Sequence, residues 1–131
     1  MTMDINNKVT TAITSALSYL ENSIEALNKK DYDAFAKNVW HVVAELEYAL
    51  FLFSMIIQDD VASKLKSDPD PKKVELNQVL ASASHFLKNA ETLIKDGKFS
   101  DAYGKVRNAR NYVLKVQEEF SKRRREESKK R

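Results

Sequence analysis

Along residues 32–56, apolar side chains recur at alternating steps of three and four: Tyr32, Phe35, Val39, Val42, Leu46, Ala49, Phe53, Ile56. The same spacing returns 67 residues later as Phe99, Ala102, Val106, Ala109, Val113, Val116 and Phe120. A mean step of 3.5 draws one stripe along a helix and cannot line one face of a strand, whose period is two. Helices carrying such stripes pack close to antiparallel at about +20° in a left-handed bundle. Two less regular seams complete the set, Val9, Ile13, Ala16, Leu20, Ile24, Leu27 and Leu76, Val79, Ala83, Phe86, Ala90, Leu93.

Polar junctions at 28–33 and 95–100, the second containing Gly97, turn each pair of seams into a hairpin. Between the pairs, Asp68-Pro69-Asp70-Pro71 forces extended chain and offers Asp70 as an N-cap with Pro71 at the first helical position. The expected fold is all-α, an antiparallel up-and-down four-helix bundle made of two helical hairpins, with helices over about 4–28, 32–58, 71–95 and 100–120. Helices of this length give a bundle about 37 Å long. Beyond Phe120 the seam stops, since the position matching Ile56 is Arg123, and 121–131 reads as a solvated basic extension. Glu118 and Glu119, four residues before Lys122 and Arg123, favour helix continuing into it.

Composition narrows the chemistry. With no Cys and two His among 131 residues, disulfides, thiolate nucleophiles and iron–sulfur ligation are excluded. Two Gly and two Pro leave too few chain-reversing residues for a β-sandwich or a phosphate-binding loop fold. Neither His41 nor His85 follows a Glu by three residues, the spacing that di-metal bundles use. His41 and Glu45 lie one turn apart, in a spacing that suits either a shared metal or a polar pair at a helix boundary; the expectation is no metal and no cofactor. Glu21 with Glu25 reads as a solvated face, Asp31 with Asp33 as helix caps. The N-terminus lacks the order of a secretory signal, and the most apolar run, 48–57, is too short to span a bilayer, so a cytoplasmic protein without membrane insertion is expected.

Two features point to surfaces rather than to a catalytic centre. Beside the seam of the second helix runs another apolar stripe, Trp40, Ala44, Tyr48, Phe51, Met55, which exceeds what one core requires and suggests an oligomer interface, a homodimer through Trp40, Tyr48, Phe51 and Met55. The charge is also uneven: residues 1–97 hold ten basic and fourteen acidic side chains, net −4, while 98–131 hold twelve and five, net +7. Arg107, Arg110, Lys122, Arg123, Arg124 and Arg125 are the candidates for contacting RNA or another polyanion.

The stretch Leu20 to Leu52, with the junction Lys29-Lys30-Asp31-Tyr32-Asp33-Ala34 followed by Trp40-His41-Val42-Val43-Ala44-Glu45-Leu46-Glu47-Tyr48-Ala49-Leu50, resembles HEPN domains over about a quarter of the chain. Around Gly97-Lys98-Phe99-Ser100-Asp101-Ala102 the sequence is also similar to tetratricopeptide hairpins. The HEPN resemblance implies a four-helix bundle that commonly dimerises and binds or cuts RNA. Active members carry Arg, a polar residue, and a His a few positions on. Arg107-Asn108 matches the start of that motif, but Tyr112, Val113 and Leu114 stand where the His belongs. The expectation is therefore a non-catalytic binding or assembly protein associating with RNA or another polyanion. The alternatives are a HEPN-like ribonuclease or toxin–antitoxin-type component, and a purely structural homo-oligomeric bundle.

Overall fold

The computed structural model describes residues 2–57 and 75–129. They form four helices, α1 (Thr2–Asn28), α2 (Tyr32–Ile56), α3 (Leu76–Lys95) and α4 (Phe99–Lys129), as an all-α four-helix bundle of two hairpins. The helices pair α1 with α2 and α3 with α4, and the hairpins meet through α2 against α4 and α1 against α3.

Both hairpin turns are built alike. Each first helix ends on one residue in the left-handed conformation, Lys30 (φ 61°) and Gly97 (φ 77°). The amide of Lys30 donates to the Leu27 carbonyl and that of Asp31 to Ala26; Gly97 donates to Ile94 and Lys98 to Leu93. This crossed pair of bonds satisfies carbonyls that a helix end leaves without partners. The matching residues are again 67 apart, so turns and seams share one offset. The local likeness of Asp33-Ala34-Phe35 to Asp101-Ala102-Tyr103, which needs 68, is not the structural register. Asp31 also caps α2, its Oδ1 accepting from the Ala34 amide at 3.3 Å. Across the end of α1, Lys29 donates to Glu25 at 2.8 Å and holds that exposed carboxyl below the usual carboxylate range.

Aromatic contacts fix the direction of the hairpins. Phe35, at the start of α2, meets Phe120 near the core end of α4 with centroids 4.7 Å apart, and Phe53, at the end of α2, meets Tyr103 near the start of α4 at 5.8 Å. Helices α2 and α4 are thus antiparallel, and every helix is antiparallel to both neighbours. It follows that α2 and α3 are diagonal and point the same way. The second hairpin is inverted on the first about an axis perpendicular to the bundle, so Ile57 and Glu75 lie at opposite ends of the molecule.

Six seam positions of α2 and their six counterparts in α4 are all buried, from Phe35 and Ala102 to Phe53 and Phe120. Three expectations need correction. In α3 the buried seam is Leu76, Val79, Leu80, Ala83, Leu87, Ala90; Phe86 and Leu93 are only half-buried. Phe86 instead lies at the α3–α4 boundary, edge-on to Tyr112 at 5.2 Å with the Lys105 ammonium 5.6 Å from its centroid. In α1 the seam drifts onto Ser23 and Ala26, leaving Ile24 and Leu27 half-buried, and the Ser23 hydroxyl is satisfied by donating to the Leu20 carbonyl at 2.7 Å. Finally, α3 begins at Leu76, after an extended Glu75. The Asp68-Pro69-Asp70-Pro71 break, with its proposed cap, lies outside the described residues. At the other boundary α2 ends at Ile56, with Ile57 extended.

Candidate interaction surfaces

Facing the core, α2 buries Phe35, Val39, Val42, Leu46, Ala49 and Phe53; on the opposite side Trp40 is 60% exposed, Tyr48 46%, Phe51 57% and Met55 55%. At 100° per residue these four, with exposed Ala44 among them, share one outward strip running nearly the length of the helix. About half of each large side chain faces water, which gives roughly 400 Å² of apolar surface. That is the size of patch which on a monomeric protein often marks a functional site. The two stripes together explain why α2 is long and apolar enough to cross a membrane by length and composition. One stripe makes the core of the bundle and the other makes its outer face.

The border of the strip is charged but neutralised. Arg110 of α4 donates to Glu47 at 3.0 Å, and its Nε donates to Asn111 Oδ1 at 2.9 Å. His41 stacks on Tyr19 of α1 with centroids 4.6 Å apart and meets the edge of Trp40 at 5.2 Å. Among the described residues no group of three or more His, Asp or Glu is placed to hold a metal ion. His85 is exposed on α3, 3.3 Å from Asn89.

The second surface is the end of α4. The helix runs unbroken to Lys129, and every residue of 121–129 is exposed. It overhangs a cleft of about 540 Å³ floored by Leu27, Tyr32, Leu76 and Phe120 and walled by Arg123, Arg124 and Glu127. The structure does not gather the six basic candidates into one free patch. Arg107 is half-buried with its guanidinium 5.6 Å from the Tyr103 ring centroid, and Arg110 is held by Glu47. Arg123 pairs with Glu119 at 3.1 Å, as its spacing predicts. Arg124 reaches across to Asp33 at 3.2 Å and lies over the Phe120 ring. Glu118 lies 4.0 Å from Lys115 rather than pairing with Lys122. Lys122 and Arg125 point away from the cleft, about 100° round the helix from their neighbours.

No match to this chain was found among protein-family models, curated proteins or solved structures. None of these comparisons supports the HEPN resemblance. Of the Arg107-Asn108 pair, Asn108 is buried within the bundle at 6% exposure.

Proposed function

We propose that this protein is a non-catalytic assembly module, a four-helix bundle that pairs with another copy of itself through the outer face of α2. The observation that carries the reading is the exposed strip Trp40, Tyr48, Phe51, Met55 on a helix whose inner face is already filled. Aromatic and Met side chains at this density are what interface centres favour, and the carboxylate beside the middle of the strip, Glu47, is paired with Arg110. Catalysis is no part of the proposal. Buried Asn108 offers nothing to a substrate, and Tyr112, half-buried, and Val113, buried, supply no imidazole beside Arg107. Light scattering at micromolar concentration is expected to return twice the 15.0 kDa of the chain. Phe51→Glu would bury an unpaired carboxylate in the contact, weaken pairing by about 3–5 kcal/mol and return a folded monomer. A wild-type chain that stays monomeric overturns the reading.

A second reading, that the α4 extension binds RNA, draws on its continuous, fully exposed helix carrying Lys122, Arg123, Arg124, Arg125 and Lys129. The ion pairs within it oppose this little, because exposed pairs contribute about 0–1 kcal/mol and exchange readily for phosphate. Replacing Lys122 and Arg125 together by Ala should reduce the slope of log K against log salt for a single-stranded RNA by about 1.4. An unchanged slope removes these residues from the contact.

A further inference from the structure

We infer that the second copy sits antiparallel on the first, α2 against α2, with the two-fold axis passing between Glu47 and Tyr48, so that the two basic arms leave from opposite ends of the dimer. This rests on the assembly reading above and goes beyond it by fixing the direction and register of the pair.

The order of large and small side chains along the strip carries the argument. A closed pair of identical chains uses the same patch twice, so each residue lies opposite the one equally far beyond the axis. The strip runs from Trp40 to Met55, and its midpoint falls between Glu47 and Tyr48. An axis there sets Trp40 of one copy opposite Met55 of the other, a polarizable thioether against an indole, and sets Phe51 opposite Ala44, a large ring over the one small residue of the strip. Moving the axis by one turn loses both matches. Centred on Ala44, the contact places two methyl groups face to face between bulky layers and Met55 against Asp33. Centred on Phe51, it drives two rings together and carries Trp40 past the end of the other copy's α2, which stops at Ile56. A parallel pair sets every residue against its own twin and leaves the same gap at Ala44.

Charge agrees with this seat. The acidic residue nearest the axis is Glu47, and Arg110 of its own chain holds it at 3.0 Å. Two copies therefore bring two neutral ion pairs to the axis rather than two bare carboxylates. The apolar area fits as well. A standard interface buries about 800 Å² per partner, of which about 65% is apolar in homodimers. The strip supplies most of that from one helix.

Direction has a consequence for the α4 extension. Arg124 is level with Asp33, its partner at 3.2 Å, between fourteen and fifteen residues along α2 from the axis. At about 1.5 Å per residue the two arms stand roughly 45 Å apart along the dimer. They then engage two separate sites on a polyanion rather than clamping one. A parallel pair would hold them at the same end, separated sideways by three interhelix steps of about 8–10 Å, no more than roughly 30 Å.

The absence of Cys makes site-specific labelling clean. Nitroxide labels on Arg125→Cys, an exposed position, should give an inter-label distance centred at roughly 45–55 Å by pulsed dipolar spectroscopy. A centre below roughly 30 Å overturns the antiparallel seat while leaving assembly in place. No dipolar interaction at concentrations where the wild type scatters as a dimer counts against this seat. A wild type that never dimerises ends the assembly reading along with it. For the register, Ala44→Cys and Phe51→Cys chains mixed under oxidation should form mixed disulfides in preference to self-linked dimers, and Trp40→Cys with Met55→Cys should do the same. Preferential Ala44→Cys self-linking would displace the axis from Glu47 and Tyr48 and overturn the register.

Discussion

Replacing Phe53 with alanine lowers the stability of the folded chain by about 3–5 kcal/mol. The same change at Phe51, two residues earlier, costs the isolated bundle no more than about 1 kcal/mol. The contrast follows from the two apolar stripes of α2. Both residues are phenylalanine on one helix, but two residues of α-helix turn a side chain by about 200°. Phe53 is fully buried and meets the edge of Tyr103, whereas Phe51 is 57% exposed. Truncating Phe53 opens a cavity at the junction of α2 and α4 that rigid helices cannot close. A domain of this size is stable by about 5–15 kcal/mol, so the loss is a large share of the total. Urea unfolding followed by circular dichroism, extrapolated to low protein concentration so that pairing does not contribute, measures both values. If Phe51 proved the costlier site, α2 would be turned about its axis, and the strip taken here for an interface would be the core.

Sequence periodicity was sufficient to read α2 and α4, because their buried seams are made of Phe, Val, Leu and Ala at unbroken steps of three and four. In α1 and α3 the pattern is ambiguous for identifiable reasons. Phe86-Leu87 and Leu93-Ile94 are apolar doublets, and a stripe passes through either member at an acceptable step. Ser23 and Asn108 are buried but polar, so a search for apolar spacing passes over them. The mutual inversion of the hairpins depends on contacts such as Phe35 with Phe120, far apart in sequence, and local spacing does not encode it. The candidate surfaces divide along the same line. The outer stripe of α2 was visible as apolar residues in excess of one seam. The basic residues were visible as composition, but the partners that hold Arg110 and Arg124, Glu47 and Asp33, are 63 and 91 positions away.

Leu87→Gln is expected to cost about 3–6 kcal/mol, the sum of a lost buried leucine and a buried amide with no partner. Phe86→Gln is expected to cost about 1–2 kcal/mol, because a side chain at the α3–α4 boundary extends its amide to water and loses only the edge contact with Tyr112 and the ammonium of Lys105. Size alone predicts the reverse order, since phenylalanine is the larger side chain. Burial decides it: Leu87 is completely buried, in register with Leu80, Ala83 and Ala90 at steps of three and four, while Phe86 is turned about 100° away. Chemical denaturation of the two single variants, with the parent as reference, measures the order directly. A larger loss at Phe86 would restore the seam Val79, Ala83, Phe86, Ala90, Leu93 and rotate α3 by about 50°. Such a rotation would carry Glu91 away from Thr14 of α1, whose hydroxyl donates to it at 3.1 Å across the contact that joins the two hairpins. The pair of variants therefore tests the phase of α3 and, through it, the way the inverted hairpins meet.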